Sequence, residues 1–275
     1  MADVYATITD ADPVLVSRIA DILELRAADP QQRVMAEKYL GDIAFPAEAR
    51  VLDLGCGTGA VTRVLARWPG VGEVVGVDPS PIFLARASGI DPPENVTFVE
   101  GDCRALAFDD QSFDVAVFHT TLCHVPEPEL ALREAARVLR PNGWLAVFDG
   151  DYATITVAVT PADPLQACVD ACVASSVHDP WLVRRLPGLL DEAGFELRRM
   201  RSYGYVETAA ASYIPTIIDR GADALVAAGH VHADTATALK AEARYRISSN
   251  RFFGHIAYAS LVATRRAAEP ADRRI

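Results

Sequence analysis

The apolar positions of this chain follow two rhythms. Up to about residue 44 they recur at intervals of three and four, the spacing of one face of a helix. Val14, Leu15, Ile19, Ile22 and Leu23 follow Asp12-Pro13, and Val34, Met35 and Leu40 follow Asp29-Pro30, so two helices are predicted, the second stopping at Gly41. An Asp before a Pro suits a helix start, because the carboxylate takes free N–H groups and proline is tolerated in the first turn. From residue 51 the apolar residues gather into short runs instead, at 51–55, 73–78, 96–100, 114–118 and 143–149, each predicting a strand. Amphipathic stretches at 58–68, 80–88 and 127–140 predict helices between them. The last carries Leu130, Leu132, Ala135, Val138 and Leu139 on one face and stops at Pro141-Asn142-Gly143. Strands alternating with helices imply a parallel sheet covered on both faces, with right-handed crossovers.

Beyond Tyr152 the rhythm changes. Residues 153–179 predict a linker and then a helix holding Cys168 and Cys172, and 180–193 predict a helix ending at Ala193-Gly194-Phe195. Glu196 to Thr208 predicts a strand, 209–248 is Ala-rich and helical, and Phe253 to Thr264 predicts the last strand. The helical stretch interrupts two adjacent strands, so it is expected to be a cap on one domain and not a second domain. The expected organisation is a single domain over 1–275: helices at 1–44, a ligand-binding core at 45–152, cap insertions with C-terminal strands at 153–265, and a charged tail at 266–275.

Composition narrows the function classes. With 51% of 275 residues apolar and 23% charged, the chain can bury a sizeable core. Its formal charge of −11 argues against a nucleic-acid groove, which needs a basic stripe. The first residues lack the basic start and apolar segment of a secretory leader, and no apolar run reaches the roughly 18 residues of a membrane span. Five scattered cysteines, Cys56, Cys103, Cys123, Cys168 and Cys172, fit a reducing compartment, so a cytoplasmic location is expected. Cys168 and Cys172 are four apart, on one helix face, and read as buried thiols more readily than as a redox clip.

The chemistry starts at Val51-Leu52-Asp53-Leu54-Gly55-Cys56-Gly57-Thr58-Gly59-Ala60, a predicted strand breaking into three glycines at alternate positions. Glycines here allow a tight turn and let backbone N–H groups approach a ligand. The pattern serves either a dinucleotide or S-adenosylmethionine, and Asp78, about twenty residues on, would meet ribose hydroxyls in both. Asp53 separates the two readings. A carboxylate inside the strand would sit badly beside a pyrophosphate and well beside a sulfonium or ammonium. Glu100-Gly101-Asp102-Cys103 adds an acid at the third strand end, where it can accept from an adenine amino group.

Asp53-Leu54-Gly55-Cys56-Gly57-Thr58-Gly59, Val77-Asp78-Pro79-Ser80 and Gly101-Asp102-Cys103 together resemble the signature of class I SAM-dependent methyltransferases. Phe108 to Asp114, His124-Val125-Pro126 and Arg137 to Gly143 extend the likeness, which is most similar to the ubiquinone/menaquinone-biosynthesis-type subgroup acting on small molecules. The likeness is strong over roughly 45–150 and departs at Trp144, where the family has a second glycine. It implies a Rossmann-like α/β fold: a mostly parallel seven-stranded sheet flanked by helices, its last strand antiparallel, with a helical N-terminal segment and a helical cap insert. It also implies that Gly55, Gly57, Thr58 and Gly59 surround the methionine part of the cofactor and that the backbone near Asp53 takes its ammonium. Asp78 with Pro79 would hold the ribose, Asp102 and Cys103 would border the adenine, and His119 would line the cofactor toward the acceptor. Arg26 and Arg33 are the cations available on the N-terminal helices for the methionine carboxylate.

Acceptor-side candidates stand at the ends of the fourth and fifth strands, where open parallel sheets place ligands: His119, Thr120, Thr121, His124, Asp149, Asp151 and Tyr152. His119, His124 and Asp151 form the candidate catalytic set. A base is required only for an acceptor that must lose a proton. No metal is expected: Asp149-Gly150-Asp151 suits capping, and His230 with His232 lacks a third ligand nearby. Arg251 and His255 remain open as acceptor contacts. The expected activity is methyl transfer from S-adenosylmethionine, leaving S-adenosylhomocysteine, to an O, N or C atom of a small molecule. Tyr205, Tyr213, Ile214, Ile217 and Ile218 in the cap suit an apolar or amphipathic acceptor. The rivals are an NAD(P)-dependent oxidoreductase and a non-catalytic SAM-binding regulator.

Overall fold

A computed structural model describes residues 3–267; the expected charged tail lies outside the described residues, apart from Arg266 and Ala267. Two helices open the chain, α1 (Pro13–Ala28) and α2 (Pro30–Leu40). The side chains of Asp12 and Asp29 accept from the first free N–H groups of each, as their sequence positions required. The buried faces differ from those read in the sequence. Val14, Leu15 and Val34 point outward, while Val16, Ile19 and Ala20 on α1, and Met35, Ala36, Tyr39 and Leu40 on α2, point in. Helical spacing identified the helices; which arc faced the sheet depended on what they pack against.

The core alternates β1 (Ala49–Leu54), α3 (Ala60–Leu65), β2 (Val71–Asp78), α4 (Pro81–Gly89), β3 (Val96–Glu100), β4 (Phe113–His119), α5 (Pro128–Val138) and β5 (Leu139–Thr156). Then come α6 (Pro164–Ser176), α7 (Leu182–Glu192), β6 (Phe195–Glu207), α8 (Ile214–Ala227), α9 (Ala233–Ser248) and β7 (Gly254–Arg265). The seven strands lie in the order β3-β2-β1-β4-β5-β7-β6. β1 to β5 are parallel, and β7 runs antiparallel between β5 and β6. Leu52, Leu54, Val115, Val117, Leu145 and Val147 are fully buried in the sheet centre. This is the Rossmann-like arrangement the resemblance implied, with β7 as the antiparallel strand.

Three boundaries move. The helix over 58–68 shortens to α3, because the glycine turn still occupies its first residues. The helix over 127–140 ends at Val138, and Leu139 already pairs with Phe113. Pro141-Asn142-Gly143 is therefore an irregularity inside β5, with Asn142 at φ 63°, and not a helix stop. The linker read from 153 begins later, because β5 continues to Thr156. Gly150 and Asp151 pair with Tyr258 and Ala257, and Thr154 Oγ1 accepts from the Ala257 N–H at 2.9 Å.

Carboxylates tie the cap helices together, Asp219 and Asp223 of α8 pairing with Arg244 and Lys240 of α9. Asp163 takes the Leu165 N–H at the start of α6 and pairs with Arg246 of α9 at 2.6 Å. Across from it α6 and α8 cross with their backbones touching: a Cβ on Gly221 would stand 1.7 Å from the Cys168 carbonyl oxygen. Overpacking of this kind costs about 1–3 kcal/mol and more when backbone must move. Gly221→Ala is expected to lower the denaturant midpoint of unfolding, while Gly188→Ala, whose Cβ meets nothing within 4 Å, should leave it unchanged or raise it.

Candidate functional site

The carboxyl ends of β1 and β4 meet where the strand order turns back on itself, the position where open α/β sheets bind ligands. The glycine turn is built there by β2. Gly55 N–H and Cys56 N–H both donate to the Val77 carbonyl, at 2.8 and 3.0 Å, and Gly57 N–H donates to Asp78 Oδ2 at 2.9 Å. Gly55, Gly57 and Gly59 all have positive φ, and any Cβ on Gly55 would collide with Thr121 at 2.2 Å. A cavity of about 860 Å³ opens over this turn. Its walls come from the strand ends, from α1 and α2, and from the segment before α1 through Tyr5 and Ile8.

Two acids stand on the turn side. Asp53 is buried within β1, and its Oδ2 accepts from Thr62 Oγ1 at 2.6 Å. Asp78 is also buried, with Oδ2 on Gly57 N–H and Oδ1 on Ser80 N–H, both at 2.9 Å. Among the described residues neither has a cation paired with it. Burial pushes the Asp53 carboxyl up to about 7, and the charge of Asp78 adds to this. Burial pushes Asp78 up to about 6 against its two backbone hydrogen bonds. Thr58 Oγ1, also facing the cavity, is buried without a hydrogen-bond partner. The ends of these side chains form an acceptor-rich wall that a cation and hydroxyl donors would satisfy.

The opposite wall is positive. Arg26 Nη2 donates to Thr120 Oγ1 at 2.6 Å, and its guanidinium lies 5.9 Å from the centre of the Tyr213 ring. Thr120 is a β-branched residue at φ 53°, an uncommon backbone state that turns the chain sharply at the end of β4. Before it, His119 stacks on Phe148 at 4.7 Å, and its Nδ1 is 2.9 Å from the Tyr39 hydroxyl. Desolvation, and behind it the charge of Arg26, push the His119 imidazole down to about 3, so it is neutral at physiological pH.

The cavity gathers Asp53, Gly55, Gly57, Thr58, Asp78, Pro79, Asp102, Cys103, His119, His124 and Arg26 from across the chain. Three expectations shift. Gly59 is not on the cavity wall; a Cβ there would meet Phe98 of β3 at 2.7 Å, so its role is to seat the turn on the sheet. His124 is on the wall, but its Nδ1 is 2.9 Å from Asp3 Oδ2 and its ring lies 4.2 Å from Tyr5. It anchors the N-terminal segment over the cavity, and Asp3 also takes the His178 N–H. Asp151 does not reach the cavity: its Oδ2 pairs with Arg184 of α7 at 2.9 Å. A strand alternates its faces, and Asp151 has turned away from the ligand crevice.

Other placements are plain. Asp102 is gripped by Arg104, which donates through Nη2 at 2.6 Å and holds the carboxyl below its ordinary range. Arg33 is exposed at the cavity mouth, so Arg26 is the enclosed cation of the two. Asp149 takes the Cys123 and Gly150 N–H groups and holds the loop after β4. Cys168 and Cys172 are free and buried. Arg251 and His255 do not line the cavity. Sequence reading missed Gln32, which lines the cavity with both amide atoms buried and unpartnered, and Tyr39, the partner of His119. A polar residue inside the buried arc of α2 was the available signal for Gln32. Tyr39 had none.

Comparison with known proteins agrees with this geometry. Residues 52–147 match the family model described as a methyltransferase domain. An uncharacterized 37.1 kDa protein in transposon TN4556 of Streptomyces fradiae is 33% identical over 189 residues, 67% of this chain and 53% of that protein. The demethylmenaquinone methyltransferase of Staphylococcus aureus is 33% identical over 144 residues, 52% of this chain and 60% of that one. The chain thus spans little more than half the length of the curated relatives it matches. Among solved structures, a putative methyltransferase from Bacillus halodurans superposes with a TM-score of 0.62 at 21% identity, covering 84% of this chain and 99% of that one. That likeness is one of fold.

Residues 52–147 thus match a methyltransferase domain, and the relatives support the class I SAM-dependent methyltransferase resemblance read from the sequence. The family's cofactor, S-adenosylmethionine, fits the residues present: two carboxylates with no paired cation among the described residues, the orphaned Thr58 hydroxyl and a turn without side chains at Gly55 and Gly57. Among the described residues no helix is long and apolar enough to cross a membrane.

The raised acids set a pH dependence. Unfolded carboxylates titrate near 4, so the ligand-free fold keeps protons on Asp53 and Asp78 that the unfolded chain releases. Their contribution to stability is complete below about pH 4 and is lost as pH rises through 6 and 7. Asp53→Asn should flatten the wild-type fall between about pH 5 and 8 by about 2–3 kcal/mol, measured by urea unfolding at each pH. Parallel wild-type and variant profiles would contradict the raised Asp53.

Proposed function

We propose that this chain transfers a methyl group from S-adenosylmethionine to an O, N or C atom of a small-molecule acceptor. The observation that carries the reading is the pair of buried carboxylates, Asp53 and Asp78, facing a cavity with no cation paired with them among the described residues. When bound, the cofactor supplies a sulfonium-activated methyl with a good leaving group. What the protein adds is alignment and exclusion of water.

In this proposal Asp53 meets the ammonium end of the cofactor through the turn. Asp78 keeps the turn closed through Gly57 and accepts the ribose hydroxyls with its remaining lone pairs. Pro79 borders the ribose, and Asp102 and Cys103 border the base. Arg26 takes the terminal carboxylate, offsetting a guanidinium that otherwise has only Thr120 as a hydrogen-bond acceptor. Tyr5 and Ile8, held down by the His124–Asp3 contact, close the cavity against water.

His119 is the candidate base for an acceptor that must lose a proton, and Tyr39 positions its ring through Nδ1. Its imidazole, pushed down to about 3 by burial and then by the charge of Arg26, is a weak base, so it serves an acceptor that is itself acidic. A neutral amine acceptor would not require it. The negative net charge supports a small molecule over nucleic acid as acceptor, and the cysteine usage supports a cytoplasmic setting.

Calorimetry with S-adenosylhomocysteine tests the cofactor site. Wild type should bind, and Asp78→Ala should bind at least about tenfold more weakly, since hydrogen bonds to a charged group contribute about 1.5–3 kcal/mol. Equal affinities would remove Asp78 from the site. NADH in place of S-adenosylhomocysteine should give no heat. Labelled-methyl transfer to an acceptor panel then separates an enzyme from a binding protein, and His119→Ala should slow transfer to phenolic acceptors while sparing neutral amines.

A further inference from the structure

Beside the large cavity lies a second, small one of about 20 Å³, lined by Tyr5, Arg26, His124, Tyr152, Tyr213 and Arg220 among others. Tyr5, Arg26 and His124 line both, so the small cavity adjoins the inner end of the large one. Arg220 enters it from α8, and its Nε is buried without a hydrogen-bond partner. The groups whose charge bears most on Arg220 are the Cys172 thiol and the hydroxyls of Tyr5, Tyr213 and Tyr152, and among the described residues no carboxylate pairs with it. Burial holds the Tyr5 and Tyr152 hydroxyls above the ordinary phenol range, so they do not supply a negative charge. The other arginine lining this cavity is Arg26, and the Asp3 carboxylate beside His124 is already taken by His124 Nδ1 and the His178 N–H.

Arginine does not lose its proton, so Arg220 carries a full charge here. An enclosed guanidinium without a counterion is unfavourable, which is why such groups are nearly always paired. The other enclosed arginine of the cap obeys that rule: Arg246 is paired with Asp163 and Glu242. Arg220 is left facing a hole. The hole admits about one water-sized group, since roughly 10–15 Å³ of such space holds a water, so it would take the end of a ligand and not its body. A planar carboxylate matches the guanidinium fork in both shape and charge.

We infer that the methyl acceptor bears a carboxylate, which docks on Arg220 between Tyr5, Tyr152 and Tyr213 while the rest of the molecule lies in the larger cavity toward His119. This rests on the methyltransferase reading and adds the substrate class to it. The two cations divide the work: Arg26 serves the cofactor, Arg220 the acceptor.

The test uses benzoate, 4-hydroxybenzoate and cinnamate against the matching amides and against chloride at equal ionic strength, with protein saturated in S-adenosylhomocysteine. At least one acid should raise the melting temperature of wild type where its amide and chloride do not. Arg220→Met should lose at least about thirtyfold in affinity for that acid, as expected when one partner of a buried charge pair is removed. Arg220→Lys should fall between them. Affinity for S-adenosylhomocysteine should stay within about twofold in both variants, because Arg220 is not on the cofactor wall. Ligand-free Arg220→Met should be as stable as wild type or more so, since an unpaired charge is removed; a purely structural arginine would give marked destabilisation. The proposal is overturned if no acid outperforms its amide and chloride, or if Arg220→Met keeps its affinity for the acid. Failure of wild type to bind S-adenosylhomocysteine would instead sink the methyltransferase reading.

Discussion

The Asp78 carboxylate is the constraint on which the site depends. One oxygen holds the Gly57 N–H of the turn after β1, and the other holds the Ser80 N–H just before α4. The end of β2 therefore fixes the glycine turn and the entry to the next helix with a single side chain. Because both N–H groups are buried with it, no water competes for these bonds, and the turn is preformed. The Val77 carbonyl adds two more hydrogen bonds from Gly55 and Cys56. A loop that would otherwise be mobile becomes a rigid rim, and Asp78 pays for this by being desolvated as a carboxylate, which is why its acidity is weakened.

The same logic runs through the whole cavity, which is polarised. Asp53 and Asp78 on the turn side have no ion-pair partner among the described residues, and neither does Arg26 on α1 or Arg220 in the small adjoining cavity. The protein keeps the two sets apart where it could have neutralised them by direct pairing. Elsewhere the described residues pair readily, as in Arg63 with Glu24 on the wall and Arg201 with Asp42 outside it. A zwitterionic, cationic cofactor and an anionic acceptor would balance both ends. His119 lines the large cavity as a neutral ring, braced by Tyr39 and stacked on Phe148, its basicity lowered first by burial and then by Arg26.

The N-terminal segment and cap complete the enclosure by different means. The segment before α1 is fastened by polar contacts from Asp3 to His124 and to the His178 N–H. The cap is fastened by packing, with α8 pressed onto α6 at Gly221 and α9 tied back through Arg246 to Asp163. These are the elements that vary most easily around such a sheet, because they cover the crevice without building it.

Much of the core was legible along the chain. The alternation of short apolar runs with amphipathic stretches is a local property, so it announced β1 to β5 and the parallel sheet. The glycine turn, Asp53 and Asp78 were legible because backbone freedom and strand-end acids are set by residue type and spacing. The extension of β5 to Thr156 was not, since it depends on pairing with β7, about a hundred residues later in the chain. The facing of Asp151 toward Arg184 and of His124 toward Asp3 depended on other partners distant in the chain. Nothing local distinguishes Arg220 from the paired Arg246, both being arginines on polar-apolar helices of the cap. By itself the sequence determined the sheet and the cofactor-facing turn, because those follow from periodicity and steric freedom. Only the tertiary structure decided which charges find partners and which are left facing the cavity, because burial and counterions are properties of the packed chain.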